Sequence, residues 1–292
     1  MDSPPTASFD HAEGEGGLPK VILRAADGAV AEIHLNGGHV TSWRPAPDGV
    51  DRLFLSSKSA FQEGMAIRGG VPVIFPQFAE EGPLPRHGFA RTSQWTLVAL
   101  DRTEQGAAVA TLVFVDDART RAIWPASFLL TLAVRVGGPQ LSLALSVENT
   151  GDDSFSFAAA LHSYLRVRDI AETTLVGLHG GSYRVSGRNA ASFDFEESLR
   201  VRGEIDRVYS NAPKRLNMRE KDRSMRVEAA EFPDVVVWNP GAERAAGIAD
   251  LAPGDERNFL CVEAAAVNKP ISLGAGRRWW GTQTLIAERA DG

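Results

Sequence analysis

The sequence predicts an all-β protein: a large antiparallel β-sandwich with a few short helices. Three observations carry that expectation. Apolar and polar residues alternate over short segments, clusters of Gly, Pro, Asn and Asp separate those segments, and helical signals are brief. Alternation signals strands because successive side chains of an extended chain point to opposite faces. Many such segments with little intervening helix favour a sandwich over a βαβ sheet.

Taken in order, residues 1–17 (MDSPPTASFDHAEGEGG) are polar, acidic and rich in Gly and Pro, and they are expected to be a disordered tail, with order beginning near Leu18. Strands are expected at 30–36, 95–100 and 107–115, a short helix at 58–65 and a turn around 116–123. The clearest segment is 128–147, where Leu130, Leu132, Val134 and Val136 share one side of a first run. Leu141, Leu143, Leu145 and Val147 do the same in a second, and Gly137-Gly138-Pro139 supplies the hairpin turn. Further strands are expected at 155–167, 224–230, 235–238, 259–266 and 282–287. No repeat of fixed period and no linker after residue 17 is evident, which makes 18–292 a single expected domain. Length permits this, because all-β domains often run to about 200–250 residues.

The 31 basic and 37 acidic side chains give a net charge of −6, which disfavours nucleic acid as a partner. The single cysteine, Cys261, leaves no partner for an internal disulfide and no cysteine cage for a metal. No secretory leader and no apolar run of about 18 residues is seen, so a cytoplasmic protein that does not enter a membrane is expected.

Four segments do not read as scaffold. In Arg68-Gly69-Gly70-Val71-Pro72, two glycines after an arginine let backbone approach a ligand, and Pro72 and Pro76 exclude a central strand. A tight surface turn with a solvated arginine is the alternative. In Pro85-Arg86-His87-Gly88-Phe89-Ala90-Arg91, a histidine lies between arginines, whose planar forks suit phosphate. The alternative there is a solvated basic loop. In 160–166, strand period puts His162, Tyr164 and Arg166 on one side, as for a strand lining a concave site; a histidine satisfied by backbone near a sheet edge is the plainer option. Glu263 interrupts the apolar run 259–266, where burial would raise its pKa toward that of a working general base; an ion pair with an arginine is the alternative. Trp238 offers an aromatic platform for a sugar or, alternatively, a core side chain, and Asp206 is a loop acid able to hold hydroxyl groups.

Together RGGVPVIFPQF at 68–78, HGFAR at 87–91, LHSYLRVRDI at 161–170, IDRVY at 205–209, FPDVVVWNPG at 232–241 and CVEAA at 261–265 resemble the glucose-6-phosphate 1-epimerase branch of the aldose 1-epimerase (galactose mutarotase-like) superfamily. The resemblance spans about residues 20 to 288 and implies the supersandwich fold, no metal and no organic cofactor. It implies catalytic roles for His162 and Glu263, phosphate contacts from Arg68 and Arg91, and substrate contacts from Asp206 and His87. Arg86 stands where relatives often carry Gln, and Gly241 where they often carry a bulky aromatic residue. The implied activity interconverts the α and β anomers of a hexose 6-phosphate, with a monomer expected. The competing readings are an epimerase of unphosphorylated aldoses, which would leave Arg68, Arg86 and Arg91 without an anion, and a sugar-phosphate binding protein without turnover, which would need neither His162 nor Glu263.

Overall fold

The alternation read over 128–147 is realised as two paired strands, and the computed structural model, which describes residues 6–46 and 48–289, extends the same antiparallel pattern throughout. In chain order the strands are β1 (Ser8–Glu13), β2 (Pro19–Arg24), β3 (Val30–His34), β4 (His39–Arg44), β5 (Val73–Ile74), β6 (Thr96–Arg102), β7 (Ala108–Val115), β8 (Phe128–Gly137), β9 (Gln140–Asn149), β10 (Phe155–Leu161) and β11 (Tyr164–Arg166). There follow β12 (Thr174–Val176), β13 (Ser182–Val185), β14 (Ala191–Phe193), β15 (Ser198–Arg200), β16 (Ile205–Tyr209), β17 (Arg215–Arg219), β18 (Arg223–Ala230), β19 (Asp234–Asn239), β20 (Phe259–Leu273) and β21 (Arg278–Arg289). Two short helices, α1 (Ala118–Ile123) and α2 (Gly241–Ala245), complete the set with a few 3-10 turns. The fold is all-β, as expected.

The strands form three sheets: β1 to β4; an eight-stranded sheet ordered β14-β13-β16-β19-β20-β10-β5, with β11 also on β20; and a nine-stranded sheet ordered β15-β12-β17-β18-β21-β9-β8-β7-β6. Alternation decides which side chains meet between layers. Leu161, Leu165, Val235, Val237, Leu260, Val262 and Ala264 of the eight-stranded sheet enter one continuous apolar cluster with Leu132, Leu143, Leu145 and Leu285 of the nine-stranded sheet. The opposite face carries a second, smaller cluster containing Tyr164, Trp238 and Cys261. That second face bears the candidate site.

Three expectations are corrected. The tail begins as strand: β1 pairs along its whole length with β2, from Ser8 opposite Arg24 to Glu13 opposite Pro19, and 15–17 form a 3-10 turn. The acidic, glycine-rich composition concealed the short run Phe9 to Ala12, which a strand edge orders; residues 1–5 lie outside the described residues. Residues 58–65 form turns rather than a helix. The strand expected at 155–167 is broken at His162 and Ser163 into β10 and β11.

Pro72 and Pro76 behave as their chemistry requires, flanking a two-residue strand, β5, at the edge of its sheet. The glycines do not act as expected. A Cβ on Gly69 would lie 2.4 Å from the Phe54 carbonyl oxygen, and one on Gly70 would lie 2.3 Å from that of Val40. Their positive φ values of 115° and 59° bring chain against chain, not chain against ligand.

Candidate active site

Register explains how residues a hundred positions apart become neighbours. Leu161 pairs with Ala264 and Tyr164 pairs with Cys261, which sets His162 opposite Glu263 in the gap between β10 and β11. Directly opposed residues of antiparallel strands have Cβ atoms about 4.5–5.5 Å apart. Here His162 Nδ1 is 3.3 Å from Glu263 Oε1. The same ladder extends outward, because Glu263 lies opposite Val236, Cys261 opposite Trp238, and Trp238 opposite Asp206. One row of side chains on one sheet face thus assembles His162, Glu263, Trp238 and Asp206.

The two remaining segments close over this face. Phe75 packs its ring against Phe128 at 5.2 Å and Phe157 at 5.4 Å, pinning the chain after Arg68 from below. The Phe75 carbonyl accepts the Phe89 N–H at 3.0 Å, which ties the 85–91 loop to it. The result is a cavity of about 540 Å³ lined by all eight sequence-predicted residues: Arg68, Arg86, His87, Arg91, His162, Asp206, Trp238 and Glu263. Tyr164 stacks beneath His162 at 4.8 Å, whereas Arg166, expected on the same side, lies over Phe54 and does not line the cavity. Trp238 is both core and site: it is nearly buried, yet meets His162 edge-on at 5.8 Å and lines the cavity.

Glu263 is 1% exposed and His162 7%. Both carboxylate oxygens of Glu263 and the Nδ1 of His162 lack hydrogen-bond geometry to any partner among the described residues. Burial pushes the Glu263 carboxyl well up, with Asp206 adding to the effect, and it pushes the His162 imidazole well down, with Arg91 and Arg68 adding to that. Burial therefore favours a neutral acid beside a neutral imidazole. His87, in a left-handed conformation at φ 63°, accepts the Ala79 N–H at Nδ1 over 3.2 Å. Burial keeps His87 neutral, so its proton resides on Nε2. Burial raises Asp206 to about 6.

The arginines differ from one another. Arg68 donates to Asp250 at 3.1 Å and to the Tyr164 hydroxyl at 2.8 Å, and Tyr164 and Asp250 hold its pKa up. Arg86 is half exposed, with Glu80 at 3.7 Å. Among the described residues Arg91 donates only to the Arg86 carbonyl and its buried Nε is unpartnered, and burial lowers its pKa to about 10. Arg244, Glu81 and Phe78 also line the cavity and were not singled out from the sequence. Phe78 ends a motif already noted, but nothing in the local pattern marks Arg244 or Glu81, which arrive through tertiary folding.

An antiparallel β-sandwich with a buried carboxyl–imidazole pair, in a cavity that also holds four arginines, has the groups an acid–base site for a small polar substrate requires. The chain belongs to the aldose 1-epimerase family, whose sequence profile matches residues 19–285. A protein of Cenchrus ciliaris named "Putative glucose-6-phosphate 1-epimerase" is 39% identical over 282 residues, covering 93% of this chain and 85% of its own. One of the same name from Escherichia coli K12 is 34% identical, covering 80% of this chain and 79% of its own. The crystal structure of a "putative mutarotase" from Salmonella typhimurium superposes with a TM-score of 0.87 at 26% identity, over 96% of this chain and 94% of that one. The protein is an isomerase that interconverts sugar anomers. Among the described residues, no helix is long and apolar enough to cross a membrane.

Proposed function

We propose that the substrate is an aldohexose 6-phosphate, with glucose 6-phosphate foremost, and that His162 and Glu263 open and close its ring. The observation that carries this reading is the juxtaposition of a buried acid–base pair with Arg91, a guanidinium that has no ion-paired carboxylate among the described residues, in one cavity. Arg91 and Arg68 grip the phosphate, Arg86 borders it, and Asp206 and His87 hold sugar hydroxyls against the Trp238 edge.

In ring opening the Glu263 carboxylate takes the proton of O1, the C1–O5 bond breaks toward O5, and the His162 imidazolium protonates that oxygen. Rotation about C1–C2 presents the other face of the aldehyde. The now neutral imidazole takes the O5 proton, the acid returns one to O1, and the ring closes. The pair carries zero net charge at both ends, so no charge is created in a dry cavity. Burial favours the neutral form, which closes the ring; a phosphate dianion on Arg91 and Arg68 offsets the cations that add to the depression of His162 and so shifts the pair toward the ionic form that opens it. Positioned acid–base groups of this kind contribute about 10²–10⁴-fold each.

The names borne by the Cenchrus and Escherichia relatives support the phosphorylated substrate. A monomeric, cytoplasmic enzyme of carbohydrate metabolism, with one catalytic domain and no nucleic-acid or membrane partner, fits the net charge of −6 and the free, buried Cys261. The test is NMR exchange between anomeric resonances of glucose 6-phosphate, galactose 6-phosphate and glucose. Faster catalysed exchange for the phosphates supports the reading, and equal or faster exchange for free glucose overturns it.

A further inference from the structure

We infer that Gln283 is a positioning residue for the acid–base pair. This rests on the reading of His162 and Glu263 given above. Gln283 lies on β21, in the opposite sheet, and is wholly buried in the apolar layer between sheets, opposite Leu143 and Ala229 on its neighbouring strands. A primary amide there costs about 1–3 kcal/mol unless its groups are hydrogen-bonded. A leucine would fill the position without that cost, so what its polar groups hold identifies what it is for.

They hold the residues next to the catalytic pair. The Ser163 hydroxyl donates to Gln283 Oε1, and Gln283 Nε2 donates to the Val262 carbonyl at 2.9 Å. Ser163 follows His162, and Val262 precedes Glu263. Because side chains alternate, Ser163 and Val262 point into the core when His162 and Glu263 point into the cavity, and one amide from the far sheet reaches both.

The clamp sits where the ladder is weakest. β10 ends at Leu161 and β11 begins at Tyr164, and the His162 N–H is diverted to the Pro72 carbonyl at 3.0 Å. Among the described residues a single backbone bond spans the gap to β20, from the Val262 N–H to the Ser163 carbonyl at 3.2 Å. The break frees His162 to approach Glu263 as a side-chain pair. Gln283 replaces the missing ladder bonds from behind and fixes the spacing of the two groups, while the arginines, on other segments, are held independently.

Gln283→Leu is therefore expected to lower kcat for anomer exchange by about 10- to 100-fold, the scale of a small misplacement of reacting groups. KM for the hexose phosphate is expected to stay within about twofold, since phosphate binding does not pass through this amide. Gln283→Glu supplies a second readout. Its protonated carboxyl accepts from Ser163 and donates to Val262, whereas the carboxylate cannot donate, so kcat is rescued at low pH and lost as pH rises. A folded Gln283→Leu with wild-type kcat, or with kcat and KM impaired in parallel, overturns the inference. So does a folded Gln283→Glu whose kcat at low pH is no higher than that of Gln283→Leu. Should Gln283→Leu fail to fold, Ser163→Ala reads the same clamp: a fall in kcat at constant KM supports it, and an unchanged kcat overturns it. Full activity in His162→Ala would overturn the acid–base reading and the clamp together; an inactive His162→Ala beside a fully active Gln283→Leu removes the clamp alone.

Discussion

Arg91 and Arg68 share one cavity but not one electrostatic state. Asp250 already neutralises part of Arg68, whereas Arg91 holds a buried, unpartnered Nε. Arg91→Ala is thus expected to raise KM for glucose 6-phosphate by at least about tenfold and to leave KM for glucose nearly unchanged, with a smaller effect from Arg68→Ala. Equal losses for both sugars would show that these groups do not read phosphate. Asp206 gives a sign test. Burial raises its folded pKa to about 6 from the 3.8 of a solvated aspartate, so the proton it binds stabilises the fold fully below pH 3.8, and that stabilisation is lost as pH rises through about 6. Asp206→Asn should therefore unfold at a higher temperature than wild type at pH 8, with the gap closing at pH 3.5. A lower unfolding temperature for the variant at pH 8 would contradict this. At this scale the sequence was informative wherever an ionisable residue broke an apolar period, as Glu263 does. It was silent on Arg244, whose cavity position depends on α2, and on Gln283, which sits in an ordinary alternating strand and whose partners lie on another sheet.

At the scale of elements, the proposed catalytic pair follows from a register. The match of Leu161 with Ala264 and Tyr164 with Cys261 leaves His162 facing Glu263, and a one-residue slip would turn one of the two into the core. The loop bearing His87 is held to β5 by a similarly demanding contact: Gly88 has φ 68°, and a Cβ there would lie 2.0 Å from the Phe75 carbonyl oxygen. Gly88→Ala is expected to destabilise the fold by at least about 1–2 kcal/mol in urea unfolding, the usual strain of a left-handed residue before any clash is counted. Unchanged stability would mean that the loop is not pinned as described. Long strands such as β8 and β9 were legible because each alternates over ten residues. Two- and three-residue strands such as β5, β12 and β15 were not, because so short a run holds no period. The break between β10 and β11 was also invisible, since Ser163 continues the alternation and only the diverted His162 N–H ends the ladder.

For the whole molecule, a net charge of −6 surrounds a cavity whose lining carries Arg68, Arg86, Arg91 and Arg244 alongside the carboxyl groups of Glu80, Glu81, Asp206 and Glu263. Of the four arginines Arg91 has no ion-paired carboxylate among the described residues, so it attracts an anion inward, and salt screens that attraction over about 10 Å at 0.1 M. kcat/KM for glucose 6-phosphate is expected to fall several-fold between about 0.02 and 0.3 M salt, with kcat and the glucose reaction little affected. Salt-independent kcat/KM for the phosphate would remove the steering argument. The sandwich supplies the rigid face on which distant residues meet, and the cross-sheet contact of Gln283 joins its interior to the proposed catalytic arrangement. The measurement that bears most directly on the chemistry is the anomer-exchange rate of glucose 6-phosphate by NMR in His162→Ala and Glu263→Gln, each shown to be folded by its thermal transition. Loss of at least about 100-fold in kcat in both variants is the expected result. A near-normal rate in either would show that a histidine and a glutamate 3.3 Å apart are not the groups that move the protons.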